Sequence, residues 1–288
     1  MPDLRPYLVL GLALGGVFAL SGVGLVVLFR ATGVLNLSYG AVGATGALIA
    51  WSIIDFGLPN GVAYATAIVF GGLVTLLYGM LVGPPLAQRD PLVKAIATLG
   101  LTLILLGLMS WVWSYQAHAL ILPTTAWGFF IGDVRVNGTQ LIGVGLGVVV
   151  TAATAAFLKY TNLGVAMRSL ANHRQITAML GVPVRRVEAA AWLGCGVLAG
   201  TTGLLLSTLV GLDIVGLTFL VIASLSAALV GRLRALGVTM VAGLGIGVAQ
   251  ACVAAFPAVS PYRTVTPFAV AILALLWFGF ARRGLTTT

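Results

Sequence analysis

Nine long apolar runs follow one another along this chain, at about residues 7–29, 34–54, 62–83, 95–113, 139–158, 189–210, 214–230, 236–256 and 265–281. A helix rises about 1.5 Å per residue, so about 20 residues cross the ~30 Å hydrocarbon core of a bilayer. The runs show no two-residue alternation, which excludes the strands of a membrane barrel. Helices and closed barrels are the structures that satisfy every backbone polar group within lipid. Charge is also too scarce for a water-facing surface. Only 7% of residues are charged, against about 25% in soluble domains. The expected architecture is therefore an all-α integral membrane protein, a polytopic bundle of about 8–9 transmembrane helices forming a single domain over residues 1–288. The run at 214–230 is short for a full crossing. The first run is too long for the apolar core of a typical signal peptide and reads as a retained span.

The net charge of +9 does not point to nucleic acid, because the basic residues gather at the ends of apolar runs. Placing the N-terminus outside, with one crossing per run, puts Arg30, Arg89, Lys94, Lys159, Arg168, Arg174, Arg185, Arg186, Arg232, Arg234, Arg282 and Arg283 inside. Only Arg5, Arg135 and Arg263 fall outside. The excess of inner positive charge selects this N-out, C-in orientation.

Chemistry-bearing motifs are scarce. Lys94 and Lys159 are the only lysines, and neither lies in a G-x-x-x-x-G-K-[ST] phosphate loop. No H-E-x-x-H or G-x-S-x-G occurs, and His118 and His173 fall in loops on opposite sides. Cys195 and Cys252 lie inside apolar runs and read as small hydrophobes. Asp55, Asp213 and Glu188 sit near run ends, so no deep ionisable group offers a proton relay. Neither catalysis nor a cofactor is expected. Pairs of glycines four apart, such as Gly11 and Gly15, Gly143 and Gly147, Gly196 and Gly200, and Gly243 and Gly247, favour close helix packing in lipid. The outer loop at about 114–138 holds Tyr115 and Trp127, as an interfacial belt would.

Two stretches stand out. In GVLNLSYG, Gly33 to Gly40, the polar residues Asn36, Ser38 and Tyr39 sit among glycines. Either the second span is broken and lines a polar path, or it begins late with these residues in the headgroups. Thr98 and Thr102, four apart on one helix face, either join that path or bond back to their own helix carbonyls. The inner connector, about 159–188, is the most polar stretch. Within it, residues 163–181 space Leu163, Ala166, Met167, Leu170, Ile176, Met179 and Leu180 as one short amphipathic helix. Arg168, Asn172, His173, Arg174 and Gln175 interleave, and Gly181 and Pro183 stop it. Such a helix either lies on anionic lipid or docks into a groove on a cytosolic partner.

These stretches resemble the membrane permeases of branched-chain amino acid (leucine/isoleucine/valine) ABC importers. Gly33 to Gly40 matches that family's G-x-x-N-[FL]-[AS]-x-G. Thr161 to Ala171, TNLGVAMRSLA, with Ala178 to Val182, AMLGV, matches its inner loop. The tail keeps Gly284 and Leu285 but lacks the usual proline, and Arg232 and Arg234 stand where the family is usually glycine-rich.

The resemblance implies a permease subunit with no chemistry of its own, in a bacterial cytoplasmic (inner) membrane. Its partners would be cytosolic ABC ATPases, a second paralogous permease or a second copy of itself, an extracytoplasmic solute-binding protein and membrane lipid. Leu163, Gly164, Ala166, Met167, Arg168, Ala171, Arg174, Ala178, Leu180 and Gly181 would form the ATPase-coupling loop. Branched-chain amino acids are the implied cargo, with urea or short amides as the alternative within the family. A standalone ion-coupled secondary transporter is the rival outside it.

Overall fold

The computed structural model describes residues 4–87, 89–114, 118–131, 134–172, 174–256, 260 and 265–283. His173, Tyr115, Gly132, Asp133, Arg263 and the tail from Gly284 lie outside the described residues, as do the side chains of Asn172, Arg282 and Arg283. In chain order the elements are α1 (Arg5–Thr32), α2 (Tyr39–Asp55), α3 (Asn60–Leu81), α4 (Gly83–Leu86), α5 (Pro91–Trp113), β1 (Gly128–Ile131), β2 (Val134–Asn137) and α6 (Gly138–Tyr160). Then come α7 (Asn162–Asn172), α8 (Arg174–Met179), α9 (Val184–Val210), α10 (Ile214–Phe219), α11 (Val221–Val230), α12 (Leu236–Ala254) and α13 (Thr266–Arg283).

The all-α membrane architecture holds. Among the described residues six helices, α1, α3, α5, α6, α9 and α12, are long and apolar enough to cross a bilayer. The other three apolar runs form shorter helices than these six. Helix α2 has 17 residues, roughly 25 Å of rise. The run at 214–230 breaks at Leu220 into α10 and α11. The last is the 18-residue α13.

The chain divides into two compact units. One comprises residues 23–123 and 152–221, and at its heart α2, α3 and α9 pack together. Glycine sets how closely they approach. A Cβ on Gly196 of α9 would land on the Gly71 carbonyl and the Thr75 hydroxyl of α3. Thr75 Oγ1 in turn bonds across to the Trp192 carbonyl at 2.9 Å. Lipid supplies no hydrophobic drive between helices, so this backbone-to-backbone fit carries their association. Gly196→Leu is therefore expected to abolish most folded, monodisperse protein in detergent, with thermal stability by size exclusion as the readout. Overpacking costs about 1–3 kcal/mol where side chains can yield, and here backbone is what it meets.

Within this unit α2, α5 and α9 run the same way. Near their N-termini Leu37 N donates to Thr98 Oγ1 at 3.1 Å and Asn36 Nδ2 reaches Cys195 Sγ at 3.6 Å. At the other end Trp113 Nε1 donates to Ser52 Oγ at 2.6 Å. There His118 stacks on Trp51 with centroids 4.0 Å apart and exchanges backbone hydrogen bonds with Leu212.

The other unit comprises residues 1–22, 124–151 and 222–288. Here the early turns of α1 press Gly11 and Gly15 against α12 at Gly243, Leu244, Gly247 and Val248, and Gly16 against Gly143 and Gly147 of α6. The four-residue spacing read from the sequence is the spacing of these contacts. The aromatic outer loop contains a feature that the sequence reading lacked: an antiparallel hairpin pairing Gly128 with Asn137 through Ile131 with Val134. Val134 and Val136 are buried, while Phe129 and Phe130 are exposed. Asn137 and Gln140 cap α6 reciprocally, each backbone N–H donating to the other's side-chain oxygen at 3.0 and 2.9 Å.

The turn after α11 accounts for the departure from the family pattern. Arg232 and Leu233 both have φ of 54°, a left-handed conformation that glycine adopts freely and other residues hold at about 1 kcal/mol or more each. Glycines suit this turn for that reason, and this chain fills it with bulkier residues.

Candidate functional site

The second span is broken where the sequence is polar. Gly33, at φ +68°, ends α1, and Thr32 closes the end. Its hydroxyl donates to Leu28 O at 2.8 Å and accepts from Val34 N at 3.2 Å. Residues 33–38 are non-helical, and α2 starts at Tyr39. A late-starting span would leave its polar residues in the headgroups, but Asn36, Ser38 and Tyr39 are 1%, 0% and 2% exposed. This is a buried interruption.

A non-helical stretch in an apolar interior needs partners for its backbone, and side chains supply them. Asn36 Oδ1 accepts from Ser38 N at 3.1 Å and from Ser38 Oγ at 2.6 Å, folding the segment into a local turn. Thr98 on α5 serves both strands of that turn. Its Oγ1 accepts from Leu37 N at 3.1 Å and lies 3.0 Å from Leu35 O and 2.8 Å from Ala95 O. Asn36 spends its amide on Cys195 of α9. Thr202, also on α9, sets its hydroxyl 3.4 Å from the Tyr39 OH.

The structure thus joins Asn36, Ser38, Tyr39 and Thr98 in one buried assembly. Thr102 stands apart, its hydroxyl bonding back to Thr98 O at 3.1 Å. Thr98→Val keeps the shape but strips partners from two part-buried backbone groups, Leu37 N–H and Leu35 O, at about 1 kcal/mol each. The expected result is a clear fall in thermal stability, with Thr98→Ser largely restoring it.

The inner connector is helical on both sides of residue 173, which itself lies outside the described residues, as α7 and α8. Gly164 fits against Phe157 O and Leu158 at the end of α6, and its N–H donates to Thr161 Oγ1 at 3.0 Å. Met167 and Leu170 are buried, so the apolar side of α7 is used within the unit. Leu163 and Ala166 are half-buried on the same helix, and Ala171 is exposed. Arg168 turns back to donate to Lys159 O at 3.3 Å. Helix α8 differs. Ile176, Met179 and Leu180 are 55%, 87% and 78% exposed, with Ala178 and Gly181 open beside them. Gly181, at φ +81°, ends it.

Arg174, at the start of α8, pairs with Glu188 in the first turns of α9. The Nη1–Oε1 distance is 2.5 Å, and Nη2 donates to Oε2 at 3.3 Å. With Lys94 of α5, Tyr78, Trp192 and Thr32 they line a cavity of about 20 Å³, room for about one water. Sequence reasoning missed this cluster. Its only trace was a charge in the polar connector, Arg174, and two near the starts of separate apolar runs, Lys94 and Glu188.

Six helices long and apolar enough to cross a bilayer make this a polytopic helical membrane protein, with a buried polar break at residues 33–38. The chain belongs to the family described as branched-chain amino acid transport system / permease component, which matches residues 7–275. It is 24% identical to the high-affinity branched-chain amino acid transport system permease protein LivH of Salmonella typhimurium over 282 residues, covering 92% of this chain and 91% of that protein. It is 26% identical to the corresponding permease protein BraD of Pseudomonas aeruginosa over 296 residues, covering 96% and 95%. The probable branched-chain amino acid transport permease protein LivH of Methanocaldococcus jannaschii is 26% identical over 243 residues, covering 81% and 76%.

Proposed function

We propose that this chain is the membrane-spanning subunit of an ATP-binding-cassette importer carrying branched-chain amino acids, or a related small polar solute, inward. The observation that carries this reading is the buried break at residues 33–38. A span that only anchors the chain gains nothing from an interruption needing Asn36, Thr98 and Cys195 to satisfy it. A span that changes conformation to pass a polar solute needs such a place, where hydrogen bonds can be exchanged.

The energy comes from outside the chain, which has no phosphate loop. The N-out, C-in orientation puts α7 and α8 in the cytosol, where the exposed apolar side of α8 suits a groove on an ATPase subunit. ATP binding there favours one of two arrangements of the bundle, and α8 carries the bias inward. A second permease, paralogous or identical, completes the membrane part, and an extracytoplasmic binding protein delivers the solute.

The test is reconstitution into liposomes with an ABC ATPase, a second permease and a solute-binding protein from the same cell. Leucine uptake that requires ATP is the expected result. Leucine uptake by the purified chain alone, driven by an ion gradient, would overturn it.

A further inference from the structure

The cluster at α8 and the clamp on the broken segment are joined through the same two helices. Helix α5 carries Lys94 and, one turn later, Thr98, so the cavity-lining amine and the clamping hydroxyl share a face. Helix α9 carries Glu188 and, two turns later, Cys195, again on one face, with Trp192 between them on the cavity wall. Both helices that hold residues 35–38 therefore begin at the Arg174 cluster. Arg174 is the connector's side chain in that cavity.

We propose that Arg174, Glu188 and Lys94 form the transmission joint of the transporter, through which a displacement of α8 moves α5 and α9 and re-sets the hydrogen bonds on the buried break. The argument is mechanical. Lys94 is 8% exposed and lines the same 20 Å³ cavity as the other two. Glu188 is the single anion between two cations, and its charge-assisted contacts with Arg174 fix α8 to the start of α9. Withdrawing Arg174 leaves Glu188 to Lys94, which changes the tie between α9 and α5. One turn inward on α5 and two on α9, Thr98 and Cys195 meet the segment whose backbone has few other partners. A buried, packed assembly of this kind moves between discrete arrangements instead of flexing. These residues are positioning residues and touch no solute.

The inference rests on the reading of α8 as the ATPase contact, and the experiment separates the two. It uses the whole transporter in liposomes, with Cys252→Ser leaving Cys195 as the single thiol of this chain. Cys195 is 1% exposed, so its rate of modification by N-ethylmaleimide reports on the clamp. ATP with vanadate should change that rate at least fivefold in the otherwise unaltered chain. In Glu188→Gln the change should fall below twofold while the ATPase still copurifies. The swapped pair Arg174→Glu with Glu188→Arg, which keeps both charges, should recover at least half of it.

A full nucleotide response in Glu188→Gln, or none in the swapped pair, would overturn the joint and leave the importer reading intact. The same holds if ATP drives leucine uptake without altering Cys195 modification in the unaltered chain. Failure of the ATPase to associate with the unaltered chain would remove both. A merely structural ion pair predicts loss of thermal stability in Glu188→Gln with the nucleotide response preserved, and that outcome also counts against the joint.

Discussion

Replacing Asn36 with leucine should cut ATP-driven leucine uptake by the assembled transporter at least tenfold while the ATPase subunit still copurifies. Leucine has the heavy-atom count and branching of asparagine, and its bulkier methyls add some overpacking around a residue that is 1% exposed. The larger loss is in hydrogen bonding. Ser38 N and Ser38 Oγ lose their common acceptor, and Cys195 loses its amide contact. Each buried group left without a partner costs about 1–3 kcal/mol, and about 1.4 kcal/mol is tenfold in a rate or population. The disturbed region is the break itself, two turns along α9 from the Glu188 contact, and α8 keeps its own exposed surface, so partner binding is spared. Asn36→Asp keeps the acceptor and should lie between the two. Uptake unchanged in Asn36→Leu would remove this residue from the transport cycle.

Reversing charge at the connector should uncouple hydrolysis from uptake. Arg168→Glu with Arg174→Glu is expected to leave ATP hydrolysis running while leucine uptake per ATP falls at least tenfold. The two arginines are unequal. Arg168 donates to the Lys159 carbonyl at the end of α6, a bond that fixes α7 locally. Arg174 neutralises Glu188 at 2.5 Å, and a glutamate there sets two carboxylates against each other beside Lys94. Arg174→Glu alone should carry most of the effect, and Arg168→Glu alone little. Measuring hydrolysis and uptake in the same liposomes separates uncoupling from failed assembly, which lowers both. Normal solute-stimulated hydrolysis with normal uptake in the double variant would refute a coupling role for α8.

The sequence made the spans legible because crossing lipid demands a run of about 20 apolar residues whatever the fold. It made the break at Gly33–Ser38 visible as polarity among glycines, and its burial could not be read, since that depends on which face of α5 and α9 turns toward it. Periodicity shows that Thr98 and Thr102 share a face. It does not show that Thr98 reaches Leu35 and Leu37 while Thr102 bonds only to its own helix. The Arg174–Glu188–Lys94 cluster was hidden for a related reason: its members come from the connector and the starts of two separate runs, and each looked like an ordinary charge at a membrane edge.

Other readings were incomplete for local reasons. Residues 163–181 have helical spacing throughout, and the chain is helical on both sides of residue 173. The aromatic outer loop read as an interfacial belt, yet part of it pairs as a hairpin with valines inward. The segment 214–230 has the composition of a span and still breaks at Leu220, and Asp213 caps the start of the first piece by accepting from Gly216 N at 2.6 Å.

The account stands on α8 lying in the cytosol against an ATPase, and Met179, 87% exposed near its end, tests this directly. Met179→Cys with Cys252→Ser should resist a membrane-impermeant maleimide in intact cells. It should react quickly in inside-out vesicles stripped of the ATPase, and slowly once that subunit is restored. Labelling of this cysteine in intact cells would contradict the account.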